Sequence, residues 1–304
     1  MEIGLVGLGR MGGNMSRRLL RSGIAVVGYD PSLAAREGLR AEGLTPADAL
    51  AELVQSLQAP RTVWLMLPAG PVTEATVAEL AGLLAPGDLL VDGGNAYYKD
   101  SQRRAGQLAA GGVEFADVGV SGGVWGLESG YGLMVGGSEA AAARLEPFLR
   151  ALAPTPDTGW VHAGAVGAGH FSKMVHNGIE YGMMQALAEG LNLMRKKREF
   201  DFDLARLTEA WRHGTVIRSW LLDLTAEYLK ADQDLGDIAP VVADSGEGRW
   251  TVLEAVELGV PIPVITQSLY ARFESQDAED YDERLLAVMR KMFGGHGVQG
   301  ASKV

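Results

Sequence analysis

The chain has no cysteine among its 304 residues. That excludes disulfides, thiolate nucleophiles and cysteine-held metals, and it fits a cytoplasmic location. Histidine is scarce too: His162, His170, His176, His213 and His296 share no ligand spacing with carboxylates, so no metal is expected. No apolar run approaches the roughly eighteen residues of a membrane span. Met1 leads straight into a strand-like segment, which leaves no room for a signal peptide. Positive charge is short: 27 Lys+Arg against 38 Asp+Glu give a net charge of −11. This argues against nucleic acid or an anionic membrane as partner. Any anionic ligand must be held by local groups, because the overall field repels it. With 47% apolar and 21% charged residues, the chain has an ordinary globular composition and the length for two domains with cores of their own.

The first half reads as a nucleotide-binding frame. Residues 2–6 (EIGLV) predict a strand, GLGRMG follows at 7–12, NMSRRLLRSG predicts a helix ending at Gly23, and IAVVGYD a second strand ending at Asp30. Strand, glycine turn, helix, strand and acid in that order are the context the G-x-G-x-x-G fingerprint needs. Gly7 permits the tight turn, Gly9 a close approach to pyrophosphate, and Gly12 close helix–strand packing, with Leu8, Arg10 and Met11 between them. The helix N-terminus supplies free N–H groups and partial positive charge for the phosphates. Asp30 can accept hydrogen bonds from the adenine-ribose hydroxyls and repels a 2′-phosphate. Pro31 and Ser32 follow it with no arginine beside them, so NAD is expected over NADP. Arg10, whose guanidinium could reach a phosphate, keeps NADP as the alternative.

Continuous apolar runs at 62–68, 89–92 and 113–123 predict parallel strands buried on both faces, and 132–137 one more strand and turn. Ligands of such sheets gather at the carboxyl ends of the strands. That places Leu67, Pro68, Ala69, Asn95, Ser121, Gly122 and Gly123 at a cofactor or substrate site, although Asn95 and Ser121 also suit plain turns. A helix at 139–152 closes this half. PTPDTGW (154–160) reads as a connector, so the boundary is set near 165. Domains of 1–165 and 166–304 are expected, an α/β Rossmann-like domain followed by an all-α one. Beyond 167, helices are predicted through 197 and at about 203–212, 216–230, 250–259, 263–276 and 279–292. Lys196, Lys197 and Arg198 read as a solvated helix end.

The most informative stretch is GAGHFSKMVHNGIEYG (167–182). Phe171, Met174, Val175 and Ile179 predict a buried helix, yet Lys173, His176, Asn177, Glu180 and Tyr181 interrupt it within an arc of about 140°. Burying five such groups costs several kcal/mol unless they bond one another or a polar ligand. An active-site helix accounts for them better than a solvated face does. Glycines at 167, 169, 178 and 182 let another backbone or a ligand come close.

VDGGNAYYKDSQRR (91–104), GVSGG (119–123), the 167–182 stretch and GRWT (248–251) together resemble the decarboxylating 6-phosphogluconate dehydrogenases. The resemblance runs from Gly7 to His296, and the chain is similar to the shorter form with a single helical domain. It implies that Lys173 is the general base and Glu180 the general acid. Asn95, Ser121, Gly122, Gly123, His176, Asn177 and Tyr181 would contact substrate, with Asn177 also helping catalysis. Arg272 would hold the sugar phosphate. In RKMFGGH (290–296), Arg290 and His296 would reach the phosphate end from a neighbouring subunit, so a homodimer or homotetramer is implied. DSGEGRW (244–250) departs from the longer enzymes: Ser245 stands where they have a phosphate-binding lysine, and Glu247 lies between it and Arg249. Either Arg249 compensates or Glu247 turns away.

The implied reaction converts 6-phospho-D-gluconate to ribulose 5-phosphate and carbon dioxide. Lys173 would need a lowered pKa to take a proton near neutrality, and burial in an apolar helix face is one way to lower it. Seven residues separate Lys173 from Glu180, two turns or roughly 10 Å on one side of a helix. The alternatives are a related β-hydroxyacid dehydrogenase of the 3-hydroxyisobutyrate type and a catalytically silent nucleotide-binding protein. Arg272, Arg290 and His296 speak against the first, and intact Lys173, Asn177 and Glu180 against the second.

Overall fold

The computed structural model of the chain describes residues 1–294. Its eight strands are β1 (Glu2–Val6), β2 (Ala25–Tyr29), β3 (Thr45–Pro46), β4 (Thr62–Leu65), β5 (Leu89–Asp92), β6 (Glu114–Ser121), β7 (Gly132–Gly136) and β8 (Trp160–Gly164). They form one sheet in the order β3-β2-β1-β4-β5-β6-β7-β8. Every pairing is parallel except β6 with β7. The direction of strand order reverses at β1 and β4, the switch point beside which such sheets bind ligands.

The apolar runs follow from the period of two along a strand. Ile3 and Leu5 enter one core with Met15, Leu19, Trp64 and Val91. Val6 enters the other with Leu53, Val63, Leu65 and Leu90. Helices cover both faces, so neither side of a central strand can be polar. The outer strand β8 alternates half-buried and exposed residues, and its first residue, Trp160, closes the segment read from sequence as a connector. An edge strand lacks the apolar run that betrays a central one.

The chain packs as two compact units, Met1–Asn177 and the chain from Gly178 onward. The long helix Ala168–Lys196 contributes to both. The second unit continues with helices Leu204–Trp211, Trp220–Ala231, Glu247–Leu258, Pro263–Glu274 and Tyr281–Gly294. Two of these boundaries are set by caps. The Asp203 carboxylate accepts the Arg206 N–H at 3.0 Å, and the Ser219 hydroxyl accepts the Leu222 N–H at 3.2 Å. The second cap starts its helix at Trp220 rather than near 216. No helix among the described residues is long and apolar enough to cross a membrane.

Candidate active site

The glycine turn is built as a cradle. Gly7 has φ +91°, and a Cβ on Gly12 would lie 1.9 Å from the Gly7 carbonyl oxygen, so only glycine lets the helix Arg10–Arg21 start this close to β1. Gly9 is its N-cap and no side chain caps it. A Cβ at Gly9 would meet nothing within 4 Å. The first N–H groups of that helix are thus left to bond an anion. Asp30 closes the cradle: its carboxylate accepts the N–H groups of Leu8 and Ser32, both at 2.8 Å. Ser32 caps the next helix, Pro31 and Arg10 are exposed, and Met11 is half-buried. Arg36 donates to the Asp30 carbonyl at 2.7 Å and to Asp48 at 2.9 Å, which occupies the nearby guanidinium. These residues fit a dinucleotide.

The neighbouring turns nest against this one. A Cβ on Gly7 would lie 2.5 Å from the Met66 carbonyl oxygen and 3.0 Å from Leu67. One on Gly94 would lie 2.6 Å from the Leu67 carbonyl oxygen. Pro68 and Ala69 are exposed beyond Leu67, and the Pro68 carbonyl accepts the Thr73 hydroxyl at 2.8 Å. Asn95 is exposed after Gly94. Asp92 holds that turn: one oxygen accepts the Gly94 N–H at 3.0 Å, and the other takes the buried Arg104 guanidinium at 2.7 Å. At the end of β6, Ser121 leads into Gly122 (φ +135°) and Gly123 (φ +53°).

The long helix starts against β6. Lys173 is half-buried, and a Cβ on Gly119 would lie 2.4 Å from its own Cβ. His176 is exposed, with Nδ1 3.0 Å from the Asn177 amide oxygen. Met174 is buried, but Phe171 and Val175 are half-buried and Ile179 is 51% exposed. The helix is therefore less buried than its apolar residues predicted. The four glycines expected to admit a backbone or ligand all meet protein: Gly167 faces Gln102, Gly169 faces Asp117 and Met134, Gly178 faces Thr251, and Gly182 faces Val264.

In the second unit, Glu180 is half-buried and Tyr181 buried. The Tyr181 hydroxyl lies 3.0 Å from the Ser245 hydroxyl, which donates to Glu247 at 2.6 Å. With its proton committed to Glu247, Ser245 accepts from Tyr181. The Arg272 guanidinium stacks 3.4 Å from the Tyr181 ring centroid and donates to the Ala243 carbonyl at 2.7 Å. Arg249 turns to Asp244 at 2.9 Å. Of the two ways to relieve an acid in this loop, the second holds: Glu247 is 2% exposed and folds inward under Ser245. Arg290 is exposed on the last helix, and His296 lies outside the described residues. No cluster of metal-ligating side chains occurs among the described residues.

The NAD binding domain of 6-phosphogluconate dehydrogenase matches residues 2–164, and that enzyme's C-terminal domain matches residues 169–296. The chain belongs to the 6-phosphogluconate dehydrogenase family. A Haloferax volcanii family member, the NAD(+)-dependent decarboxylating 6-phosphogluconate dehydrogenase, is 44% identical over 299 residues, 98% of either chain. A Bacillus subtilis enzyme of the same description is 37% identical over 92% of this chain and 62% of its own length. Among solved structures, the 6-phosphogluconate dehydrogenase of Plasmodium falciparum superposes with a TM-score of 0.83 at 30% identity, covering 99% of this chain and 66% of that one.

Beneath these 6-phosphogluconate dehydrogenase motifs lie buried polar residues that the sequence reading passed over. Ser101, Asp117 and His170 are each at most 2% exposed. Asp117 accepts the N–H of Gly167 at 2.6 Å and of His170 at 2.7 Å, and the His170 ring lies 2.7 Å from the Ser101 hydroxyl. Burial pushes the Asp117 carboxyl above its ordinary range, against the pull of His170 and the two N–H donors. The available signal was an aspartate inside an otherwise apolar strand, FADVGV.

Proposed function

We propose that the chain oxidatively decarboxylates 6-phospho-D-gluconate to D-ribulose 5-phosphate and carbon dioxide, with NAD preferred as oxidant. One observation carries the reading: a helix bearing Lys173, Asn177 and Glu180 seats its lysine on the strand that ends at Ser121, just before Gly122 and Gly123. The Gly7–Asp30 cradle would hold NAD, which would supply the hydride acceptor for C3 of the substrate. Neutral Lys173 removes the C3 hydroxyl proton as hydride leaves. The resulting β-keto acid loses carbon dioxide, and protonated Lys173 stabilises the developing enolate oxygen. Glu180, two turns further and about 10 Å away along the helix, protonates C1 of the enediol. Asn95, Ser121 and the two following glycines orient the sugar acid together with His176 and Asn177. Arg272, stacked on the Tyr181 ring, takes the phosphate end, while the Tyr181 and Ser245 protons are spent in the chain that ends on Glu247.

Residues 1–165 then form the dinucleotide domain and 166–304 the substrate and dimerisation domain. The second unit exposes apolar side chains, among them Val216, Leu253, Val256, Leu258 and Val264, that a second copy could cover. They support a homodimer or a homotetramer built from it, in which the partner's tail delivers Arg290 and His296. A cytoplasmic setting suits the substrate and a chain without cysteine. The test is NADH formation from 6-phosphogluconate with carbon dioxide followed in parallel. Equimolar release of both is expected; turnover of 3-hydroxyisobutyrate and none of 6-phosphogluconate would overturn the reading.

A further inference from the structure

We propose that Asp117 and Gly119 are positioning residues for Lys173: together they set the register of the long helix on β6, and so the placement of the base relative to Ser121. Residues 117, 119 and 121 share one face of the strand. Each meets, or leads toward, a successive level of the helix. Asp117 takes the N–H groups of Gly167 and His170 with its two oxygens. These donors belong to the helix start, where no intrahelical acceptor exists. The cap thus comes from a distant strand rather than from the residue preceding the helix. The fully buried Asp117 carboxyl also sits at the positive end of the helix dipole.

One strand step further, Gly119 faces Gly169 and Lys173. A Cβ on Gly119 would lie 2.4 Å from the Lys173 Cβ and 2.7 Å from the Gly169 carbonyl oxygen. A Cβ on Gly169 would lie 2.5 Å from the carbonyl oxygens of Asp117 and Met134. One on Gly136 would lie 2.4 Å from the Asp117 carboxylate and 2.7 Å from the Gly169 nitrogen. Three glycines, from β6, β7 and the helix, thus bring the helix backbone onto the sheet, where an added Cβ would meet backbone, the Lys173 Cβ or the Asp117 carboxylate. From Asp117 to Gly119, about 6.6 Å along the strand, the residues met advance from Gly167 and His170 to Gly169 and Lys173. The next residue on that face of the strand is Ser121.

The inference rests on Lys173 acting as the base, so Lys173→Met is measured beside the test variants. In Asp117→Ala, kcat with 6-phosphogluconate should fall about ten- to a hundredfold, the scale of an ångström-sized misplacement. The Kd for NAD, read by fluorescence titration, should stay within about twofold, because the glycine cradle is untouched. Asp117→Asn keeps one acceptor and should fall between wild type and Asp117→Ala. Amide hydrogen exchange across residues 167–174 should quicken in the same order. Gly119→Ala reads the same placement without removing the cap, and should lower kcat while leaving NAD affinity alone. Wild-type kcat in folded Asp117→Ala or Gly119→Ala would overturn the proposal. So would a parallel loss of kcat and NAD affinity, which marks a general structural role. Full activity of Lys173→Met would instead overturn the base assignment.

Discussion

In the proposed mechanism Lys173 and Glu180 move different protons, so their removal should separate the steps. Lys173→Met should abolish both NADH formation and decarboxylation of supplied 3-keto acid, whereas Glu180→Gln should keep hydride transfer and slow only the final protonation. A solvent-deuterium experiment on product C1 reads the second. At Asp30, a carboxylate already drawn in by Leu8 and Ser32 leaves a 2′-phosphate facing negative charge. The kcat/KM for NAD should therefore exceed that for NADP by at least about tenfold, roughly 1.4 kcal/mol. Asp88 makes a pH prediction. It is buried and accepts the N–H groups of Ala85 and Arg61 and the Arg61 guanidinium, at 2.9, 2.6 and 3.1 Å. Burial raises its pKa, but those donors outweigh it and hold the carboxyl below its ordinary value of 3.8. A depressed acid stabilises the fold above the unfolded value, and that contribution is lost as pH falls through the lower folded one. Asp88→Asn should cost about 1–3 kcal/mol near neutrality. The difference in Tm from wild type should shrink below about pH 4.

The segment after β6 shows how an element is held for a task. The short turns Gly123–Trp125 and Gly126–Ser129 follow the Ser121–Gly123 turn directly. The Arg18 guanidinium, from the dinucleotide helix, donates to the carbonyls of Leu127 and Ala153 at 3.1 and 2.7 Å. Tyr131 lies beneath: a Cβ on Gly126 would lie 2.0 Å from its ring. Its hydroxyl is buried with no hydrogen-bond partner among the described residues, and burial pushes its pKa up to about 12 against the pull of Arg18. The ring therefore supports the turn while the hydroxyl only costs desolvation. Tyr131→Phe should leave activity intact and raise Tm, by up to about 1 kcal/mol in stability. A fall in Tm would mean the hydroxyl is bonded.

At the scale of the molecule, the proposed dimer has the tail of one copy serve the substrate end of the other. Truncation after Lys291 removes the proposed His296 contact and leaves the first unit whole. Activity should fall while NAD affinity persists. Mixing the truncated chain with a Lys173→Met chain should restore part of the activity, since each supplies what the other lacks. Loss of NAD binding on truncation would sink the assignment of the tail to the substrate end.

The sequence alone determined the parts whose physics is local. The glycine turn, the buried strands and the long helix are legible because a left-handed turn needs glycine, a doubly covered strand must be apolar, and a helix repeats every 3.6 residues. Lys173, His176, Asn177, Glu180 and Tyr181 stand out as polar groups in an apolar run, although the folded helix is less buried than that run suggested. The tertiary structure decided what depends on residues far apart in the chain. Asp117 reads as an odd polar residue until the fold brings Gly167 and His170, fifty residues on, to its oxygens. Glu247 reads as a threat to a phosphate until Ser245 and burial draw it inward. The outer strand β8 shows the same limit, because its pairing with β7 leaves half its side chains in water. A partner's position is a property of the folded chain, and no spacing within one segment encodes it.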